Sequence, residues 1–377
     1  MKQPFNIDID QSILNDLKVR LSQTRWPDEI ANDDWQYGTN LSYLQSLCTY
    51  WETEFDWRQQ EVQLNTFDHF KTTVDGLSIH FIYEKGKGPN AVPLLLTHGF
   101  PDSFIRFLKV IPLLTEPDER GVCFDVVVPS IPGYGFSDKP TEPGMNPTKV
   151  ASIFHTLMTE ELGYKQFFAQ GGDWGSSITE QLAYKFPSSL FGIHLTDIPY
   201  HHLFTVAAQD LTQPEKEYLE KGKQWQMTEG GYAILQSTKP QSLAYGLNDS
   251  PVGLAAWIIE KFYRWSDNNG NLEQCFTKDE LLTNLTIYWA TQTINSTIRI
   301  YFESMHLPPD NADKKVEVPT GVATFPKDLI PAPKEFADRF YNVQHWSEMY
   351  KGGHFAAMEQ PELLVQDIKK FVTQQIQ

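Results

Sequence analysis

The sequence predicts an α/β fold: a mostly parallel central sheet with helices on both faces, an inserted helical lid and a helical N-terminal extension. Three observations carry this reading. Short apolar runs without alternation recur through the first half of the chain and return near its end, as strands buried on both faces do. Helix-like stretches separate them, and strands alternating with helices imply crossover connections and parallel pairing. Between about 199 and 300 the strand pattern stops, in a stretch rich in Tyr, Trp, Gln and helix formers.

Taken in order, residues 10–65 read as helical. Ile13, Leu14, Leu17 and Leu21 share one face; Leu44, Leu47, Cys48, Trp51 and Phe55 share another. Ser42 is the expected N-cap of the second helix. An aromatic, proline-containing loop around Trp26-Pro27 and Trp35 joins the two. The period then changes to two around Asp75-Gly76, a hairpin signal. Expected strands follow at 92–99, 124–133, 166–172 and 190–197, with helices at 147–161 and 176–186. The strand signal returns at 316–326 and 341–349, and "PELLVQDIKKFVTQQ" is an amphipathic helix. The expected division is 1–90 as extension plus hairpin, 91–198 with 301–377 as core, and 199–300 as lid.

Composition narrows the function. Hydrophobic residues make up 41% of the 377, enough for a full core. The formal net charge of −17 disfavours nucleic acid or an anionic membrane surface as partner. Cys48, Cys123 and Cys275 form no disulfide or metal pattern. The N-terminus lacks a charged segment followed by an apolar one, so no signal peptide is expected. No apolar run approaches the ~18 residues of a membrane span. The expectation is a soluble, cytoplasmic protein, for which a sequon such as Asn284-Leu-Thr286 carries no meaning. A monomer and a homodimer both stay open.

The chemistry centres on "QGGDWGS" (170–176). Small residues follow a strand-like run and open a helix-like run, the setting of a nucleophile elbow with Asp173 at its centre. An aspartate capping the helix is the plain alternative, but a cap does not require so many glycines. A metal site is weaker, because no second carboxylate or histidine lies at ligand spacing nearby. No Gly-x-Ser-x-Gly occurs, and Ser176 and Ser177 fall inside the first helical turn, so a serine esterase is disfavoured.

A carboxylate nucleophile attacks saturated carbon and leaves an ester on the enzyme. Hydrolysing that ester needs a general base. His354, in "GGHFAAMEQPE" after the last strand, is favoured over His98, His155 and His345. An acid must orient it. Asp328, beyond "VPTGVATFPK", is the candidate, with Glu317, Glu335 and Asp338 as rivals. The order nucleophile, acid, histidine is that of α/β hydrolases. In "LLLTHGFPDS" the chain turns out of a strand, and the backbone N–H groups of Phe100 and Trp174 are candidates for an oxyanion hole. "PGYGFSDKP" (132–140) reads as a structural turn.

"QGGDWGS", "HGFPDS", "LNDSPVGLAAWIIEKF", "VPTGVATFP" and "GGHFAAMEQPELL" together resemble the microsomal-type epoxide hydrolases of the α/β-hydrolase superfamily. "DLKVRLSQTRWP" and "DWQYGTNLSYLQSLCTYW" resemble that group's N-terminal extension. The chain begins directly at the extension and so resembles the soluble, fungal-type members. The resemblance implies Asp173 as nucleophile, His354 as base and Asp328 as its acid. It also implies two tyrosines that donate to the epoxide oxygen, matching Tyr232 and Tyr301, with Tyr245, Tyr263 and Tyr288 as rivals. The implied reaction converts a small apolar epoxide to a vicinal diol and uses no metal or organic cofactor. A haloalkane dehalogenase shares the Asp–His–acid logic, and a non-catalytic ligand-binding protein of the same fold is the alternative from another class.

Overall fold

A computed structural model describes residues 1–206, 209–309 and 314–376. The N-terminal part contributes a short strand β1 (Gln3–Pro4) and helices α1 (Gln11–Ser22), α2 (Leu41–Thr53) and α3 (Trp57–Leu64). Then come β2 (His69–Val74), β3 (Leu77–Glu84), β4 (Val92–Thr97), α4 (Val110–Thr115) and β5 (Phe124–Pro129). Next are α5 (Pro147–Thr156), β6 (Phe167–Gly171), α6 (Trp174–Lys185) and β7 (Leu190–Leu195). Seven helices follow: α7 (His202–Thr205), α8 (Gln213–Thr228), α9 (Gly231–Thr238), α10 (Pro240–Asp249), α11 (Pro251–Arg264), α12 (Lys278–Thr291) and α13 (Ile294–His306). The chain returns through β8 (Val316–Thr324), α14 (Lys334–Phe340), β9 (Tyr341–Glu348), α15 (Ala356–Glu359) and α16 (Pro361–Ile376).

Among the described residues, nine strands form one sheet in the order β1-β2-β3-β5-β4-β6-β7-β8-β9. The first three pairings are antiparallel and all the rest are parallel. The six apolar runs expected as strands are β4 to β9. Phe124, Val126, Val127 and Val128 of β5, and Leu95 and Leu96 of β4, are wholly buried, as expected for strands covered on both sides. α5 packs on α6 against the sheet, and α4 packs on α16. The hairpin turns at Asp75 and Gly76, both with positive φ (52° and 77°), the geometry of a two-residue type I′ turn.

Several local expectations need correction. Asn40, not Ser42, caps α2: its side chain accepts from the Tyr43 N–H, and Ser42 Oγ donates to it. Both residue types cap helices, but only Asn40 has the extended backbone a cap needs. Phe55 lies beyond α2, which ends at Thr53, and is still buried. The stretch expected as one helix at 147–161 is α-helical to Thr156 and finishes as a π-helical turn, Leu157–Glu161. α6 begins at Trp174, two residues before the expected 176. β1 was invisible in the sequence because two residues carry no periodicity.

Candidate active site

The end of β6 and the start of α6 are separated by two residues, Gly172 and Asp173. Asp173 holds φ 58° and ψ −127°, a region non-glycine residues occupy only under constraint from their surroundings. The constraint is close packing. A Cβ on Gly175 would meet the Thr97 carbonyl oxygen at 1.9 Å, so α6 can approach the end of β4 only with glycine there. The Asp173 side chain makes no capping bond to α6. Instead Oδ1 accepts the Phe100 N–H at 2.8 Å, and Oδ2 lies 3.3 Å from His354 Nε2. The geometry is therefore that of an elbow and not of an N-cap.

Asp328 follows β8 and His354 follows β9, side by side beyond a parallel bridge between Lys327 and Gly353. His354 Nδ1 is 2.7 Å from Asp328 Oδ1, which also accepts the Leu329 N–H at 2.7 Å. The His354 N–H donates to Trp265 O at 2.8 Å, and Arg106 donates to the His354 carbonyl at 2.7 Å. Burial disfavours the imidazolium. The Asp328 and Asp173 carboxylates outweigh it and push the His354 pKa up to about 10. That pKa leaves the imidazole charged at neutral pH. Esterifying Asp173 would remove one of those charges and leave burial to pull the pKa back toward a useful base.

The rival residues are occupied elsewhere. His98 is buried, accepts the Ile131 N–H at 3.2 Å, and is held down to about pKa 3 by burial. His155 stacks on Phe186, and His345 pairs with Asp367 at 2.9 Å. Asp338 pairs with Lys334 at the surface. Among the tyrosines, Tyr245 is 73% exposed, Tyr263 stacks on Trp35, and Tyr288 donates to the Asp102 carbonyl at 2.9 Å.

Tyr232 of α9 and Tyr301 of α13 do face the elbow. Their ring centroids are 5.9 Å apart, and those of Tyr301 and Trp174 are 4.7 Å apart. Both phenols are buried beside Asp173, and burial pushes their pKa values well above the ordinary one, so both stay protonated as donors. A cavity of about 480 Å³ is lined by Asp173, Trp174, Tyr232 and Tyr301, with Trp225 and Phe204 among its apolar walls. A larger groove of about 840 Å³, between Arg20–Leu44 and residues 249–256, holds none of these groups. The Trp174 backbone N–H, first in its helix, has no hydrogen-bond partner among the described residues.

Sequence reasoning missed four participants. Asp197, after β7, accepts the Asp173 N–H at 2.7 Å. Asp102 and Arg106 pair at 2.5 Å behind the 98–103 turn. Asn284 is wholly buried, donating to Pro101 O at 2.8 Å and accepting from Ser103 Oγ at 3.0 Å. A charged pair at i, i+4 was a signal that could have been read; an aspartate in "LTDIP" was not. Among the described residues, two trios have ligand atoms close enough to hold a cation: Asp197, Asp328 and His354, and Glu180, His201 and His202. In each trio two members already pair directly with each other, His354 with Asp328 and His202 with Glu180.

A mostly parallel sheet with an acid at the β6–α6 elbow and a histidine after the last strand defines an α/β hydrolase. Residues 92–262 match the family described as alpha/beta hydrolase fold, and residues 2–107 match the one described as Epoxide hydrolase N terminus. The chain belongs to the epoxide hydrolase family. It is 40% identical over 401 residues to Epoxide hydrolase 1 of Sus scrofa, covering 98% of this chain and 88% of that one. Juvenile hormone epoxide hydrolase 2 of Ctenocephalides felis is 37% identical over 408 residues, with coverage of 98% and 86%. The crystal structure of juvenile hormone epoxide hydrolase from Bombyx mori superposes with a TM-score of 0.92 at 34% identity, covering 100% and 95%. Aspergillus niger epoxide hydrolase superposes with 0.86 at 29% identity, covering 99% and 96%.

Proposed function

We propose that the chain opens a small apolar epoxide in two steps through an ester on Asp173. One observation carries this reading: the Asp173 carboxylate and the Tyr232 and Tyr301 phenols line the same apolar cavity, with His354 against the carboxylate. In the first step an Asp173 oxygen bonds to an epoxide carbon and the C–O bond breaks. The departing oxygen takes a proton from the tyrosine pair, and the His354 imidazolium restores that proton through solvent once the Asp173 charge is gone. In the second step water attacks the ester carbonyl and gives a proton to His354, while Asp328 balances the imidazolium. The Phe100 and Trp174 N–H groups steady the oxyanion. As the tetrahedral intermediate collapses, the leaving alkoxide, whose oxygen came from Asp173, takes water's second proton and departs as the diol, and the carboxylate and imidazolium of the resting state are restored.

The test is one turnover in heavy-oxygen water with enzyme in excess. Solvent oxygen should appear in Asp173 and not in the first diol. Label in the first diol would sink the ester mechanism. A second reading, haloalkane opening, is favoured by the Trp174 indole N–H, which is buried beside the cavity with no hydrogen-bond partner among the described residues. A panel of epoxides and haloalkanes separates the two.

Among the described residues no helix is long and apolar enough to cross a membrane. The proposed setting is the cytoplasm, as a soluble enzyme; the net charge of −17, which anionic membrane surfaces repel, supports it. Cell fractionation tests it, and activity in the membrane pellet would overturn it. The proposed division of labour follows the same lines: a strand-bearing core holds Asp173, Asp328 and His354, and a helical lid over it presents the tyrosines.

A further inference from the structure

Asp197 follows β7, one strand over from the elbow, and is buried. Oδ2 accepts the Asp173 N–H at 2.7 Å. Its second oxygen, Oδ1, is buried with no hydrogen-bond partner among the described residues. Ligand atoms of Asp197, Asp328 and His354 all lie within 4.8 Å of one another. One carboxylate therefore touches the backbone of the expected nucleophile and also stands beside the acid–base pair.

We propose that Asp197 is a positioning residue for both steps: it fixes the strained backbone of Asp173, and it provides a second carboxylate for the His354 imidazolium beside Asp328. This rests on the ester reading given above. The first role follows from the elbow. A residue at φ 58° and ψ −127° stays there only if its surroundings hold it, and the Asp173 N–H is one of the few handles available. The second role follows from charge. Asp197, Asp328 and Asp173 surround one imidazole, with Arg106 reaching the same space from the 98–107 segment. Tyr200, Tyr218 and Tyr341 also feel the Asp197 charge, and burial pushes the pKa of all three phenols up.

Supporting this, burial, followed by the negative charge of Asp328, raises the Asp197 pKa to about 7, while His354 opposes the rise. The interaction is reciprocal: a charge on Asp197 favours the imidazolium.

Two measurements test the proposal. The first needs no substrate. The His354 imidazole is titrated by NMR in the wild-type chain and in Asp197→Asn, which keeps an acceptor for the Asp173 N–H and removes the charge. The His354 pKa should fall in the variant; an unchanged titration overturns the second role. The second measurement resolves ester formation from ester hydrolysis with styrene oxide in single turnovers. Asp197→Asn should leave ester formation nearly unchanged, and Asp197→Leu, with no acceptor, should slow it. Equal rates in the two variants overturn the first role. If the Leu variant does not fold, Asp197→Ala, which also has no side-chain acceptor, takes its place, and a rate equal to that of the Asn variant is then the overturning result.

For hydrolysis, the Asp197→Asn/Asp328→Asn double variant should lose about tenfold or more beyond the product of the single losses, as groups in one network do. A purely multiplicative loss overturns the shared role. Absence of any ester in the wild-type chain would instead refute the ester mechanism, and the NMR titration would still judge Asp197.

Discussion

The guanidinium of Arg106 donates to the His354 carbonyl oxygen at 2.7 Å while its Nε pairs with Asp102 at 2.5 Å. Two loops far apart in sequence, the turn after β4 and the loop after β9, are thereby joined beneath the elbow. Both charges are almost wholly buried.

Breaking that pair leaves Asp102 uncompensated. Burial already raises the Asp102 pKa to about 6, with Arg106 opposing the rise. Arg106→Ala should cost about 3–5 kcal/mol of stability, the usual loss when one partner of a buried pair is removed. Thermal unfolding checks this. A melting temperature equal to wild type would show that the pair does not hold the loops.

His354→Gln should separate the two proposed steps. Asp173 can still attack, but no base activates water. The expected outcome is a stable adduct, visible in intact-mass spectra as the protein plus one substrate. Asp173→Ala should form no adduct and no product. Adduct formation by Asp173→Ala would place the nucleophile elsewhere.

Tyr232→Phe and Tyr301→Phe each remove one donor from the cavity. Each should slow ester formation by about 2–4 kcal/mol, the range for a donor aimed at developing charge. Rapid-mixing kinetics of tryptophan fluorescence would follow it, since Trp174 lies against Tyr301. Unaltered rates in both variants would remove the tyrosines from the mechanism.

Asp367 binds His194 Nε2 and His345 Nε2, each at 2.9 Å, and accepts from Ser347 Oγ at 2.5 Å. Burial alone would raise its pKa; these partners outweigh burial and hold it below the ordinary carboxylate value. A depressed native pKa contributes stability that is present above the unfolded value, ~3.9, and is lost as the pH falls through the native one. Asp367→Asn should therefore melt well below wild type at neutral pH, and the gap should narrow below about pH 4. A gap that stays constant on acidification would contradict the linkage.

Much of this molecule was legible because its strands are short, apolar and non-alternating, so β4 to β9 announce themselves. The elbow was legible because close packing at Gly175 leaves a cluster of glycines in the sequence. What could not be read depends on contacts between distant segments. Asp197 looks like any turn aspartate until β7 lies beside β6. Asn284 looks like a sequon until α12 buries it under the 98–103 turn. The cap of α2 was misread because Asn40 and Ser42 are both good caps, and only the backbone distinguishes them.

The first helices have a consequence of their own. Trp51 Nε1 donates to Thr286, Tyr50 to Asp279, Thr39 to the Ala256 carbonyl and Arg20 to Asp249, while Trp35 stacks on Tyr263. From its other side, α12 grips the turn that carries Phe100. The leading segment is thus a buttress: it braces α11 and α12 from outside, and through α12 it braces the Phe100 N–H that meets Asp173. Cutting away residues 1–65 would remove Leu47 and Trp51, uncover the side of α12 that Trp51 bonds through Thr286, and slacken the chemistry some distance away. The length of the chain before the first central strand is part of the mechanism's framework, and a trimmed version for engineering should keep it.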